Sequence, residues 1–247
     1  MDAKLLKLLQ SVDTPTVCNA IEVAQGKRGF NGFTRGTMLA SDPRPMVGYA
    51  VTARIAALKP PTEDPTIIRA RRMAYYRAMA EGPKPSVAVV QDLDFPDCIG
   101  AYWGEVNTTI HKGFGMSGAL TNGVMRDLGD LAPDFPVVAG SIGPSHGFVH
   151  VRAVNTPVII HGLPVAPGDL VHADRHGAVV IPPEVIPQLA AAIAKMQATE
   201  QLILAPARAS GFDFAAFARG QGRLTLIRCD FPDCVEVRQR GDRKSVV

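Results

Sequence analysis

Apolar residues along this chain follow two periods, and the changes between them divide it into elements. Leu5, Leu6, Leu8 and Leu9 fall at helical spacing, so residues 2–10 are expected to form a short N-terminal helix. Asp13-Thr14-Pro15-Thr16 follows with a capping carboxylate and an early proline, which predicts a second helix running to about Ala24, before Gly26. Residues 26–45, rich in glycine and proline, read as loop. Over 46–58, Val47, Tyr49, Val51 and Ile55 alternate with small residues, the pattern of a long strand.

Past Pro60-Pro61 a helix is expected over 66–81, stopped by Gly82-Pro83. Val87-Ala88-Val89-Val90 is an unbroken apolar run, as suits a strand buried on both faces. An acidic loop at 92–97 leads into 104–131. That stretch reads as a helix start at Gly104-Glu105, a break at Gly113-Phe114-Gly115, a short strand, a glycine turn, and a second short helix opened by Arg126-Asp127. Strands are expected at 136–140, 148–153 and 157–160, around an irregular loop at 141–147. Two more, at 167–173 and 177–181, are joined by the turn Asp174-Arg175-His176-Gly177. A long amphipathic helix over 184–204 completes an α/β fold with a central mixed β-sheet flanked by helices. Residues 1–205 form one domain in this reading, and 206–247 a C-terminal extension with a charged, mobile end at 238–244.

Composition narrows the function. The 247 residues are 47% hydrophobic and 20% charged, as in an ordinary soluble globular protein. A net charge of +3 does not imply a large nucleic-acid-binding face. No secretory leader or membrane-spanning run is recognisable, so a cytoplasmic protein with no membrane and no nucleic-acid partner is expected. Cys18, Cys98, Cys229 and Cys234 include no C-x-x-C pair, which argues for reduced thiols over disulfides or structural zinc.

The candidate chemistry lies at Arg126-Asp127. Ligands of open α/β sheets collect at the carboxyl ends of strands, and helix N-termini offer N–H groups and partial positive charge to anions. Other features weigh less. His146 and His150 have ligand-like spacing, but Gly143, Pro144 and Gly147 argue against a helix that would put both rings on one face. Gly113-Phe114-Gly115 lacks the rest of a dinucleotide fingerprint, turn geometry accounts for Asp174, and 69–72 is the wet face of a helix. Asp94-Phe95-Pro96-Asp97-Cys98 recurs as Asp230-Phe231-Pro232-Asp233-Cys234, a coincidence since the flanks do not match.

Four segments together carry a family resemblance: Thr14-Pro15-Thr16-Val17-Cys18-Asn19-Ala20, Gly48-Tyr49-Ala50-Val51-Thr52-Ala53, the stretch 104–131, and 167–182. They resemble the regulator-of-ribonuclease-activity-A-like (RraA-like) family, which includes class II 4-hydroxy-4-methyl-2-oxoglutarate/4-carboxy-4-hydroxy-2-oxoadipate aldolases. The most specific element is a glycine followed about twenty residues later by Arg-Asp, matched by Gly104 and Arg126-Asp127.

The resemblance implies a barrel-like core of the swivelling-domain α/β/α type. It also implies a metal-dependent lyase that releases pyruvate from 4-hydroxy-2-oxo acids, with an oxaloacetate decarboxylase activity. Arg126 would bind the carboxylate and carbonyl oxygens of the pyruvate unit, and backbone N–H groups of Val106 and Asn107, just after Gly104, the same carboxylate. Asp127 would hold Mg²⁺ or Mn²⁺, Glu105 would act through metal-bound water, and Glu200 would reach the metal from the neighbouring subunit of a homotrimer or homohexamer.

Such residues suit a reaction that builds negative charge on an enolate oxygen, because a hard cation and a guanidinium fork both stabilise it. A Schiff-base route needs a lysine in an apolar pocket, which Lys59 and Lys112 lack. The rival reading is a non-enzymatic regulator that binds a ribonuclease. That branch typically lacks the aspartate after the arginine. Two departures, 92–97 in place of a glycine-rich Asp-Gly-Gly segment and the bulky Tyr102-Trp103, leave the substrate's distal group open.

Overall fold

The first three helices each open on an aspartate whose carboxylate accepts a free N–H of the first turn. Asp2 does this for α1 (Ala3–Leu9), Asp13 for α2 (Thr14–Gln25) and Asp64 for α3 (Pro65–Glu81), as capping requires. Helix α2 stops at Gly26, whose φ of 67° is left-handed. These elements come from a computed structural model that describes residues 1–219.

Strands β1 (Leu39–Ala40) and β2 (Met46–Ala56) precede α3, and β3 (Ser86–Asp92) and β4 (Ala101–Trp103) follow it. Helix α4 (Glu105–Gly113) leads to β5 (Met116–Thr121), β6 (Val124–Met125), β7 (Val137–Ala139) and β8 (Ser141–Ile142). The chain continues through β9 (His150–Val154), β10 (Val158–Ile160), β11 (Leu163–Val165), β12 (Leu170–Asp174), β13 (Gly177–Ile181) and α5 (Ile186–Ala207).

The main sheet runs β1-β7-β5-β3-β2-β12-β13, with β9 also on β2. Strands β2, β3, β5 and β7 are mutually parallel, and the others join antiparallel. Val87, Ala88, Val89 and Val90 of β3 are fully buried, in keeping with their unbroken apolar run. The result is a mixed α/β fold with a barrel-like sheet flanked by helices.

Three packed groups surround the sheet. Helices α1, α2 and α5 cover the β12–β13 end through Leu9, Val17, Ile21, Leu189 and Ile193. The β10–β11 hairpin covers a second region with Ile160 and Leu163. The third group, with Tyr75, Met79, Trp103, Met125 and Phe135, packs α3 and the β4–β6 region against the sheet. Buried His172 ties the first group together, facing Thr14 Oγ1 at 3.0 Å and Leu9 O at 2.9 Å. Asp174 accepts Thr14 N at 2.9 Å and His176 N at 2.8 Å, which bears out its reading as a turn residue.

Three expectations change. The 26–45 loop contains β1, paired with β7, and a bridge from Phe33 to Val179. The 141–147 loop contains β8, which pairs with β6. No second helix opens at Arg126-Asp127: Asp127 is left-handed at φ 54° and the chain turns through 128–130, because a left-handed residue cannot start a right-handed helix. Among the described residues no helix is long and apolar enough to cross a membrane. Cys229, Cys234, the repeat at 230–234 and the charged end at 238–244 lie outside the described residues.

Candidate functional site

A second, three-stranded sheet builds the site. Strands β4, β6 and β8 pair in parallel, with Ala101 opposite Val124 and Met125 opposite Ile142. Arg126 leaves β6 with its N–H on Trp103 O at 2.8 Å. The carboxyl ends of β4 and β6 therefore lie side by side, one leading to Gly104 and α4, the other to Arg126-Asp127.

Gly104 occupies the N-cap of α4 and has no side chain to cap it. The carboxylate of Asp127 takes over that task from across the site, with Oδ2 accepting Glu105 N at 3.2 Å. The same oxygen lies 3.3 Å from Arg126 Nε, an ion-pair contact without hydrogen-bond alignment, and Nε has no hydrogen-bond partner among the described residues. The guanidinium is thus held by charge and packing, and its planar fork suits a carboxylate ligand. A side chain at position 104 would displace the pair: a Cβ there would sit 2.4 Å from Asp127 Oδ2 and 2.9 Å from Arg126 Nε.

Around this pair the sequence-predicted residues gather in part. Gly104, Glu105, Val106, Asn107, Arg126 and Asp127 converge. The Glu105 side chain is exposed, and Val106 is 64% exposed. Glu200 does not join them within one chain: it is exposed on α5, beyond Met196, the last buried residue of that helix. No ion pair or hydrogen bond links Glu200 to the pair among the described residues. Of the two helix starts expected, at Gly104-Glu105 and at Arg126-Asp127, one forms, that of α4.

The donor set suits a hard cation only with help. Asp127 brings one carboxylate to the N-terminus of α4, Glu105 is exposed in the first turn of that helix, and no group of three His, Cys, Asp or Glu able to hold a metal occurs among the described residues. Mg²⁺ or Mn²⁺ tolerates so few protein ligands because it retains waters and takes substrate oxygens.

Beneath α4 lies a group that sequence reasoning missed. His111 is buried among Tyr75, Tyr76, Trp103, Phe114 and Phe135. Burial pushes its pKa down to about 4, so the ring is neutral at physiological pH. Burial also raises Tyr75 and Tyr102 above the usual phenol range. A histidine one helical turn after Asn107 was the available signal. His146 instead bonds Gly147 O within its loop, and His150, at the start of β9, bonds Phe148 O. In the 92–97 segment Asp92 is buried beside Cys98, and burial raises its pKa.

Fold and site together define an α/β protein that presents an arginine and a carboxylate at a helix N-terminus beside a glycine. The family model described as Aldolase/RraA matches residues 14–180, and the chain belongs to this RraA-like family. A protein of Halalkalibacterium halodurans named "Putative 4-hydroxy-4-methyl-2-oxoglutarate aldolase" is 25% identical over 170 residues, 68% of this chain and 72% of that one. An uncharacterized protein of Methanocaldococcus jannaschii is 26% identical over 188 residues, 75% and 80% of the two chains. Among solved structures, Streptomyces coelicolor RraAS2, described as an unusual member of the RNase ES inhibitor RraA protein family, superposes with a TM-score of 0.63. It is 23% identical and covers 81% of this chain and 96% of its own. A protein of Pseudomonas syringae pv. tomato gives 0.65 at 22% identity over 90% and 94%.

Proposed function

We propose that this protein is a divalent-metal-dependent lyase that cleaves 4-hydroxy-2-oxo acids by a retro-aldol reaction, releasing pyruvate, and that it also decarboxylates oxaloacetate. The observation that carries this reading is the contact of Asp127 with both the N-terminus of α4 and Arg126, beside a glycine that leaves room for them. A carboxylate already rests at that helix end, so the surroundings accept anionic oxygen.

In the reaction, N–H groups of Val106 and Asn107 hold the substrate carboxylate, and the Arg126 fork spans that carboxylate and the adjacent ketone oxygen. Glu105 receives the proton of the 4-hydroxyl, directly or through a water. The C3–C4 bond then breaks, the hydroxyl carbon becomes a carbonyl, and the electron pair passes to the ketone oxygen as an enolate that is finally protonated at C3. Arg126 stabilises that oxygen, and one such preorganised contact is worth about 3–4 kcal/mol. Mg²⁺ or Mn²⁺, held by Asp127 and by Glu105 through water, would add positive charge at the same oxygen.

A homotrimer or homohexamer with sites at subunit interfaces goes with this reading. Val106, Leu128 and Ile142, apolar and 64%, 51% and 50% exposed, adjoin the pair, and Glu200 would enter from the neighbouring subunit. Free Cys18 and Cys98 fit a cytoplasmic setting.

The test is pyruvate release across a panel of 2-oxo acids, with and without chelator, in wild type, Asp127→Asn and Glu200→Ala. Activity is expected to need Mg²⁺ or Mn²⁺ and to be lost in Asp127→Asn. Full turnover in excess chelator, or an unaffected Asp127→Asn, would sink the reading. Ribonuclease binding with no turnover of any 2-oxo acid would favour the regulator.

A further inference from the structure

The turn that presents the N–H groups of Val106 and Asn107 is closed by contacts that point away from any ligand. Asn107 Nδ2 donates to Tyr102 O at 2.7 Å, five residues back, and so ties the end of β4 to the first turn of α4 across Gly104. Because a carbonyl oxygen only accepts, the NH₂ group must face Tyr102 and Oδ1 is left for another donor. Tyr76 OH, from α3, supplies it at 3.0 Å. The Asn107 backbone carbonyl lies 2.6 Å from His111 Nδ1, and Tyr75 OH lies 2.6 Å from His111 Nε2. By the same reasoning Nδ1 carries the ring proton and Tyr75 donates to Nε2.

The Tyr102 hydroxyl adds a further contact to those of Tyr75 and Tyr76, and none of these contacts needs a charge. The Asn107 side chain is held at both its Nδ2 and its Oδ1, and its backbone N–H lies in the first turn of α4, where helix N–H groups lack intrahelical partners. Tyr76 is half-buried, with its ring edge against Tyr75 at 5.2 Å between centroids.

We propose that Asn107 is a positioning residue that holds the helix N-terminus of the site in its anion-receptive shape, and that the Tyr76 hydroxyl fixes the orientation of its amide. The proposal rests on the reading of that N-terminus as a carboxylate site. The first residue to change is Tyr76, because Tyr76→Phe keeps the ring packing and deletes only the hydroxyl.

The experiment uses full-length protein and two readouts. The first is calorimetric titration with oxalate in the presence of Mg²⁺, alongside KM and kcat for the best substrate. Tyr76→Phe is expected to weaken oxalate and raise KM roughly three- to tenfold, as one lost hydrogen bond allows, with kcat within about twofold. Asn107→Ala should move both further in the same direction. The second readout needs no ligand: hydrogen–deuterium exchange of peptide 101–113 should quicken in Tyr76→Phe. An unchanged oxalate affinity with only a lower melting temperature would mark the contact as merely structural and overturn the proposal, as would unchanged exchange. If wild type fails to bind oxalate, the carboxylate reading falls, and the exchange comparison still decides whether Tyr76 holds the turn.

Discussion

A methyl group at position 104 has no room, since it would press on Asp127 Oδ2 and on the Nε and Cγ of Arg126. Both side chains would have to swing away, and displacement of about an ångström can cost on the order of 100-fold in rate. Gly104→Ala is therefore expected to lower kcat/KM for pyruvate release at least about 100-fold, with little loss of stability because both displaced side chains are partly exposed. Steady-state kinetics beside a urea melt checks this. At this scale the sequence was informative about neighbours: Gly104 with Glu105, and Arg126 with Asp127, stand side by side in the chain. It was silent about the bond from Glu105 N to Asp127, which joins groups 22 positions apart.

Among elements, legibility followed length and local chemistry. Helix α2 could be read from Asp13 and Pro15, and its cap is there: Asp13 Oδ1 accepts Thr16 N at 2.9 Å. Asp13→Ala should lower stability by about 1 kcal/mol, measured as a shift in urea midpoint at unchanged slope. Strand β3 announced itself by an unbroken apolar run. Strands β6 and β8 did not, because two residues carry no periodicity and exist as strands only through partners elsewhere in the chain, Met125 opposite Ile142. The helix expected at Arg126-Asp127 failed for a related reason. Asp127 is held left-handed beside α4, and a through-space contact of that kind outweighs local helix propensity.

For the whole molecule, the buried histidines set a pH limit. His111 takes up a proton near pH 6.5 when unfolded but only near pH 4 when folded. Below 6.5 the unfolded chain therefore binds a proton that the folded one refuses, so stability is fully present above that pH and falls progressively toward pH 4. The loss is on the order of 3 kcal/mol, two and a half units at about 1.4 kcal/mol each. His172, lowered by burial, acts in the same direction, while Asp92, raised by burial, opposes them at the acid end. Urea unfolding at pH 7.5, 5.5 and 4 should show the decline, and His111→Gln should flatten part of it.

The left-handed backbone at Asp127 has an evolutionary consequence. Aspartate, asparagine and glycine are the residues that adopt this conformation most readily, and in the genetic code aspartate lies one nucleotide from each of the other two. A single base change can thus delete the carboxylate while the turn keeps its course. On the proposed reading, the carboxylate at this position can be lost and regained while the turn keeps its shape.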